Sequence, residues 1–365
     1  MNYIILHSLL FVSVLFSRYL TKELSLILLL VFGYFLALYP GLRYTTGDDY
    51  FNYLDMFNLV KPLFDYSGFS ELSNNFSQIH GEFGFLLINS IFKQLNLSFE
   101  SLLLFIAFLN IIILIVALTR NSVNPLMSLF IYFSIFYVAT QFSQIRLGMV
   151  LNIFLLATCY IYASKIKFFI LILLGAFFFH KVILLGFFVY IIKNIRYTYL
   201  KGILFLLSAI IFHELNIFNI IISNLFYINL EAISQLRHYA SDMLYIGNKP
   251  PYLMIFFMFS IYLYSLYIIK LNNKFNNYIN MLLGIFLFSL VINIALYDIQ
   301  IVGGRFSSLF MIVVVLIIPY VFYNNQYKVH SYVYFLLISL YSFFRYYKLV
   351  FVENNNLYPY ISIFN

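Results

Sequence analysis

Eleven apolar runs dominate the chain, at about 3–17, 24–39, 99–118, 125–140, 146–163, 168–192, 200–213, 251–269, 279–296, 305–323 and 331–350. Several are shorter than the ~20 residues that a helix needs to cross a bilayer. Run 168–192 is too long for one simple crossing and carries His180-Lys181 at its middle, so it reads as two short passes. The segment FGFLLINSIFKQL at 83–95 is too short to cross and reads as an interfacial or re-entrant helix. Composition excludes a soluble domain: 64% of residues are hydrophobic and 9% charged, against about a quarter charged in ordinary chains. Mean hydropathy is +0.94. The expected fold is all-α, a polytopic transmembrane helix bundle of about 11–12 passes, with 1–365 forming one integral-membrane domain. With no basic n-region and no small-residue cleavage site after Phe16, the first run is expected to be a retained span.

Charge orients the bundle. If the N-terminus is outside, the inner loops hold Arg18, Lys22, Arg120, Lys165, Lys167, Lys193, Arg196, Lys201, Lys270, Lys274 and Lys328, which is eleven of the 21 Lys and Arg residues. Only Glu23 of the 13 acidic residues then falls inside, a positive-inside pattern. Both termini are expected outside. Two long loops, about 40–98 and 214–250, also lie outside, while every inner loop is too short to form a catalytic domain. Any chemistry is therefore expected at the outer face or within the bilayer.

The polar stretch PGLRYTTGDDYFNY at 40–53 follows the second run. It brings together Arg43, Asp48, Asp49 and Tyr53. A helix is expected from about Asp48 to Val60, with Asp48 as its N-cap and with Asp48, Asn52 and Asp55 on one stripe. Arg43, Arg146, Lys181, Arg237 and Arg305 are outer-side cations that run against the charge bias, so something must compensate them. Arginines among aromatics suit a phosphate-bearing ligand, because the guanidinium fork matches phosphate oxygens. Their bland alternative is a salt bridge to an outer carboxylate, a reading that fits Arg237, beside Glu231 and Asp242, better than Arg146 or Arg305. Gly303-Gly304-Arg305 reads as a helix start whose free amides favour an anion. His180 is a candidate proton acceptor, and Lys181 a second cation or simply a wet turn. Glu82, in HGEFGF, reads first as the cap of the helix that follows and second as a sugar-binding carboxylate. No metal-ligand pattern and no Walker A motif occurs, so neither a metal nor another cofactor is expected.

These motifs, in this order, resemble the EpsG-like and Wzy-type bacterial polysaccharide polymerases. The matching residues are G-L-R followed by G-D-D-Y-x-x-Y within 41–53, E-F-G-F at 82–85, Q-I-R-L-G at 144–148, F-H-K at 179–181 and G-G-R-F at 303–306. Glu-Phe-Gly-Phe departs from a more usual Glu-Pro-Gly-Phe. The resemblance implies a GT-C-like membrane glycosyltransferase that polymerises undecaprenyl-diphosphate-linked oligosaccharide repeat units at the outer face of the bacterial inner membrane. Its implied partners are that lipid-linked oligosaccharide, the bilayer and a chain-length regulator, with no nucleic acid. Under this reading Arg146 and Arg305 neutralise the leaving diphosphate, each at a helix N-terminus. Arg43, Lys181 and Arg237 assist binding with Tyr53 and Glu82. Asp48, Asp49 or His180 orients or deprotonates the acceptor hydroxyl. An O-antigen ligase and a flippase or other transporter are the alternatives. A transporter would place its charges at the middle of spans or show inverted repeats, whereas here charge gathers at the outer boundary.

Overall fold

The computed structural model describes residues 3–224, 250–271, 276–352 and 356–364. Among these, seven helices are long and apolar enough to cross a membrane, and shorter apolar helices accompany them. The described residues group into two compact units, 1–184 with 327–365, and 185–326.

The first unit opens with α1 (Tyr3–Phe16), α2 (Lys22–Gly41), α3 (Tyr50–Leu59), α4 (Phe69–Gln78) and α5 (Phe83–Gln94). It continues with α6 (Phe99–Asn121), α7 (Pro125–Tyr132), α8 (Ile145–Tyr162) and α9 (Ile166–Phe177). Side-chain caps start several of these helices by accepting amide protons that have no partner within the helix. Thr21 Oγ1 accepts from Leu24 N at 3.3 Å and Asn124 Oδ1 from Met127 N at 2.8 Å, with Pro125 at the first helical position. Beyond α7 the chain stays helical through two π-helical segments, Phe133–Tyr137 and Ala139–Ser143, and reverses at Gln144 into α8. Gly148 makes the reversal tight: a Cβ there would lie 2.6 Å from the Thr140 carbonyl oxygen.

Buried amides tie these helices where apolar contact alone would leave them free to slide. Asn110 Nδ2 of α6 donates to Ile145 O at the head of α8 at 3.3 Å, and Asn152 Nδ2 donates back to Asn110 O at 3.1 Å. Tyr137 OH donates to Leu36 O of α2 at 2.9 Å. Beneath the short helices an aromatic-rich core gathers Tyr50, Tyr53, Phe57, Phe76, Phe85 and Phe99.

The contacts sort one unit into two ends. Residues 42–47, 82–84, 141–146 and 178–180 meet at one end. Arg120 and Tyr160 meet at the other, where Arg120 Nη1 donates to the Tyr160 hydroxyl at 2.7 Å. The last helix of the unit, Lys328–Tyr347, is followed by a C-terminal segment that lies along residues 42–47. There Tyr44 N donates to Ile361 O at 2.9 Å, Ile363 N to Leu42 O at 3.0 Å and Gly47 N to Asn356 O at 3.0 Å.

The second unit holds a 3-10 helix (Lys181–Phe188, begun in the first unit), then α10 (Val189–Ile192), α11 (Tyr199–Glu214) and α12 (Ile217–Asn224). After these come α13 (Tyr252–Leu271), α14 (Asn277–Ala295), α15 (Gln300–Met311) and α16 (Val314–Asn324). Lys328–Tyr347 is then α17.

Two local expectations are corrected. The helix expected from Asp48 begins at Tyr50, with Asp49 and not Asp48 at its N-cap position and no side-chain cap bond. Thr45 and Gly47 take positive φ, 51° and 100°, while the C-terminal segment holds this stretch, so helical geometry cannot start earlier. The Gly303-Gly304-Arg305 triplet lies inside α15, not at its start. Gly303 serves packing: a Cβ there would sit 2.8 Å from Leu296 O.

Candidate functional site

Arg146 is the second residue of α8, so its side chain stands at the positive end of a helix. Its guanidinium pairs through Nη1 with Glu82 Oε2. Both side chains are largely buried but keep an edge at the surface, at 17% and 13% exposure. The guanidinium also lies 5.6 Å from the ring centroids of Tyr53 and Phe85, within cation–π reach of both. A single charge is thus held by three elements that are far apart in sequence. Burial raises the Tyr53 hydroxyl above the usual phenol range; the nearby Arg146 charge opposes the shift and Asp49 adds to it.

Glu82 occupies the N-cap position of α5, yet its carboxylate makes no cap bond, which corrects the capping expectation. The reason is the buried cation across from it: a charge-assisted pair with a guanidinium outweighs a bond to one amide. Its backbone still performs the cap role, with Leu86 N donating to Glu82 O at 3.1 Å.

His180 reaches the same carboxylate from the turn after α9, with Nδ1 3.9 Å from Glu82 Oε1. That distance is too long for a hydrogen bond. The same Nδ1 accepts from the Val182 amide at 3.2 Å, so the ring offers it as a lone pair. Lys181 beside it is exposed.

Arg43 is placed differently from the expectation of a ligand-facing cation. It is buried to 1% exposure, and Nη1 donates to Gln141 O at 2.7 Å and Pro40 O at 3.1 Å. Its guanidinium lies 5.7 Å from the centroid of the Phe142 ring. As placed, Arg43 pins the end of α2 to the π-helical segment that leads into Arg146. Asp48 is exposed, and Asp49 Oδ1 accepts from Asn52 Nδ2 at 3.3 Å.

In the second unit Arg305 is half-buried on α15, beside a small core of Ile299, Val302 and Phe306. Arg237 lies outside the described residues.

A model of the EpsG family matches residues 26–362. The chain belongs to the EpsG family. No curated protein and no solved structure matches it. Membership in the EpsG family supports a membrane polysaccharide polymerase of glycosyltransferase-like character. Of the motifs that carried the resemblance, four meet in the first unit of this EpsG-family chain: Tyr53 of G-D-D-Y-x-x-Y, Glu82 and Phe85 of E-F-G-F, Arg146 of Q-I-R-L-G and His180 of F-H-K.

Sequence reasoning missed the pairing of His213 with Asp298, whose Nδ1 and Oδ1 atoms are 3.0 Å apart, both side chains under 10% exposed. Burial raises the Asp298 carboxyl and the His213 charge opposes that shift. The signal was faint: one polar residue at the end of run 200–213 and another in the link between runs 279–296 and 305–323.

Proposed function

We propose that this protein is a membrane glycosyltransferase that polymerises oligosaccharide repeat units carried on undecaprenyl diphosphate, at the outer face of the bacterial inner membrane. The observation that carries the reading is Arg146, a guanidinium at a helix N-terminus, flanked by two aromatic rings and open to the surface along one edge. Such a group suits a diphosphate, whose oxygens accept the planar fork in pairs.

In the proposed reaction the growing glycan on one lipid diphosphate is the donor. A hydroxyl of the terminal sugar on a second lipid-linked unit attacks its anomeric carbon, through an oxocarbenium-like transition state as in glycoside cleavage. The lipid diphosphate leaves with the bonding electrons, and Arg146 stabilises the charge that develops on it. The exposed Lys181 adds a second positive charge near the site. Asp48 and Asp49, at the head of α3, hold acceptor hydroxyls by hydrogen bonds. Arg43 acts as a positioning residue for the segment before Arg146. Arg305 keeps a role in anion contact on the strength of the G-G-R-F motif alone.

The test is the Arg146→Lys variant, which keeps the charge and loses the fork. Polysaccharide length on a gel is expected to collapse while single-unit product persists, at normal membrane expression. A normal ladder would remove Arg146 from the mechanism. A deletion strain lacking even single-unit product would favour a ligase or flippase.

A further inference from the structure

We propose that Glu82 is the general base of the transfer, and that its ion pair with Arg146 holds it in reserve until a diphosphate takes its place on the guanidinium. The proposal rests on the glycosyl-transfer reading above. Four observations support it. The Glu82 carboxylate forgoes the cap bond its position offers and turns to Arg146. The pair reaches the surface along one edge, so an anionic ligand can approach Arg146 without unfolding anything. The backbone of Glu82 is fixed independently of the pair, because Leu86 N donates to its carbonyl and Gly84, two residues on, donates to Phe178 O at 2.8 Å. Two of the other candidate bases are already engaged, since His180 Nδ1 accepts from Val182 N and Asp49 accepts from Asn52, while Asp48 is exposed to solvent at the head of α3.

The exchange sets the timing. A carboxylate oxygen held by a guanidinium is engaged and does not face an incoming hydroxyl. When a diphosphate of higher charge takes the same fork, the Glu82 oxygen that faced Arg146 is released. The released oxygen can then accept the proton of the acceptor hydroxyl. The carboxylate is thus open to the acceptor only when the donor is bound.

The step balances as follows. The acceptor O–H bond breaks and its proton moves to a Glu82 carboxylate oxygen. The acceptor oxygen forms the new bond to the anomeric carbon. The bond from that carbon to the diphosphate oxygen breaks, and the diphosphate departs with the electron pair. When the diphosphate diffuses away, Glu82 releases its proton to water and pairs with Arg146 again.

The test separates binding from turnover. The full chain in nanodiscs is titrated with undecaprenyl diphosphate, and polymerisation of lipid-linked repeat units is measured in parallel. Glu82→Gln is expected to bind the diphosphate as tightly as the wild type or several-fold more tightly, because a competing charge is gone, while turnover falls by about 100-fold or more. Glu82→Asp keeps the charge but shortens its reach, and is expected to bind normally and turn over slowly. Turnover of Glu82→Gln within a few-fold of wild type overturns the proposal. So does a loss of diphosphate binding in both variants that parallels their loss of turnover, because Glu82 would then serve only to hold Arg146. A wild type that binds no diphosphate and forms no polymer overturns the underlying reading and this proposal with it. A wild type that binds and polymerises alongside a fully active Glu82→Gln overturns the proposal alone.

Discussion

Gly84 and Phe178 are joined backbone to backbone: the Gly84 amide donates to the Phe178 carbonyl at 2.8 Å, and a Cβ on Gly84 would lie 2.9 Å from both that oxygen and the Phe178 Cβ. This contact brings the start of α5, with Glu82, against the turn that carries His180. Only a residue without a side chain fits.

The first prediction follows from that fit. Gly84→Ala forces α5 away from the turn, at the cost of about 1–3 kcal/mol expected of overpacking a close contact. Polymer length should drop sharply while the protein still reaches the membrane, and its thermal unfolding in detergent should shift down by a few degrees. Unchanged polymer with an unchanged midpoint would show that the α5 start can move freely relative to His180.

Asp48 and Asp49 separate charge from helix stability. Neither side chain makes a cap bond to α3 in the structure, so an Asn at either position should change stability by no more than about 0.5 kcal/mol. Both Asn variants are nevertheless expected to shorten or reduce polymer, because the negative charge proposed to orient the acceptor is removed. Normal polymer in both would confine these residues to the local fold.

Sidedness is testable with single cysteines. Asn74 on α4 and Val123 between α6 and α7 are both exposed, and the charge pattern places the first outside and the second inside. A membrane-impermeant maleimide added to intact cells should label a cysteine at position 74 and spare one at 123. The reverse pattern would turn the bundle over and place the Arg146 end on the cytoplasmic side.

The loop between α3 and α4 carries a pH dependence of its own. Glu71 is held by Lys61 Nζ at 2.7 Å, and by the amide and hydroxyl of Ser67 at 2.8 and 2.7 Å. The Lys61 hydrogen bond, then those from Ser67, lower its carboxyl to about 2. Since the folded value lies below the unfolded one, the bonds stabilise the loop above the ordinary glutamate range. That support fades as pH falls from about 4.5 toward 2. Hydrogen exchange at the Ser67 amide should therefore lose protection on acidification, and Glu71→Gln should show the weakened protection at neutral pH. Protection that does not change with pH would mean the loop is held without Glu71.

Fold class was legible in the apolar runs, because a chain this poor in charge can bury its surface only among its own helices or in lipid. The motif residues were legible too, since an arginine, a histidine or a carboxylate beside an apolar run needs compensation wherever it lies. What the sequence left open were partners. It set Arg43 beside Arg146 as a ligand cation, whereas backbone carbonyls of residues 40 and 141 claim Arg43 and a carboxylate claims Arg146. It read Glu82 as a cap because capping depends on neighbours within four residues, whereas its observed partner is 64 residues away. It read Gly303-Gly304 as a helix start because two glycines favour a turn, and the packing of α15 against Leu296 uses one of them for close approach instead. Periodicity and local propensity act over one turn of helix and are written in the chain. Which buried charge meets which partner is decided by helices crossing at distances the sequence does not encode, and only the tertiary structure decided it.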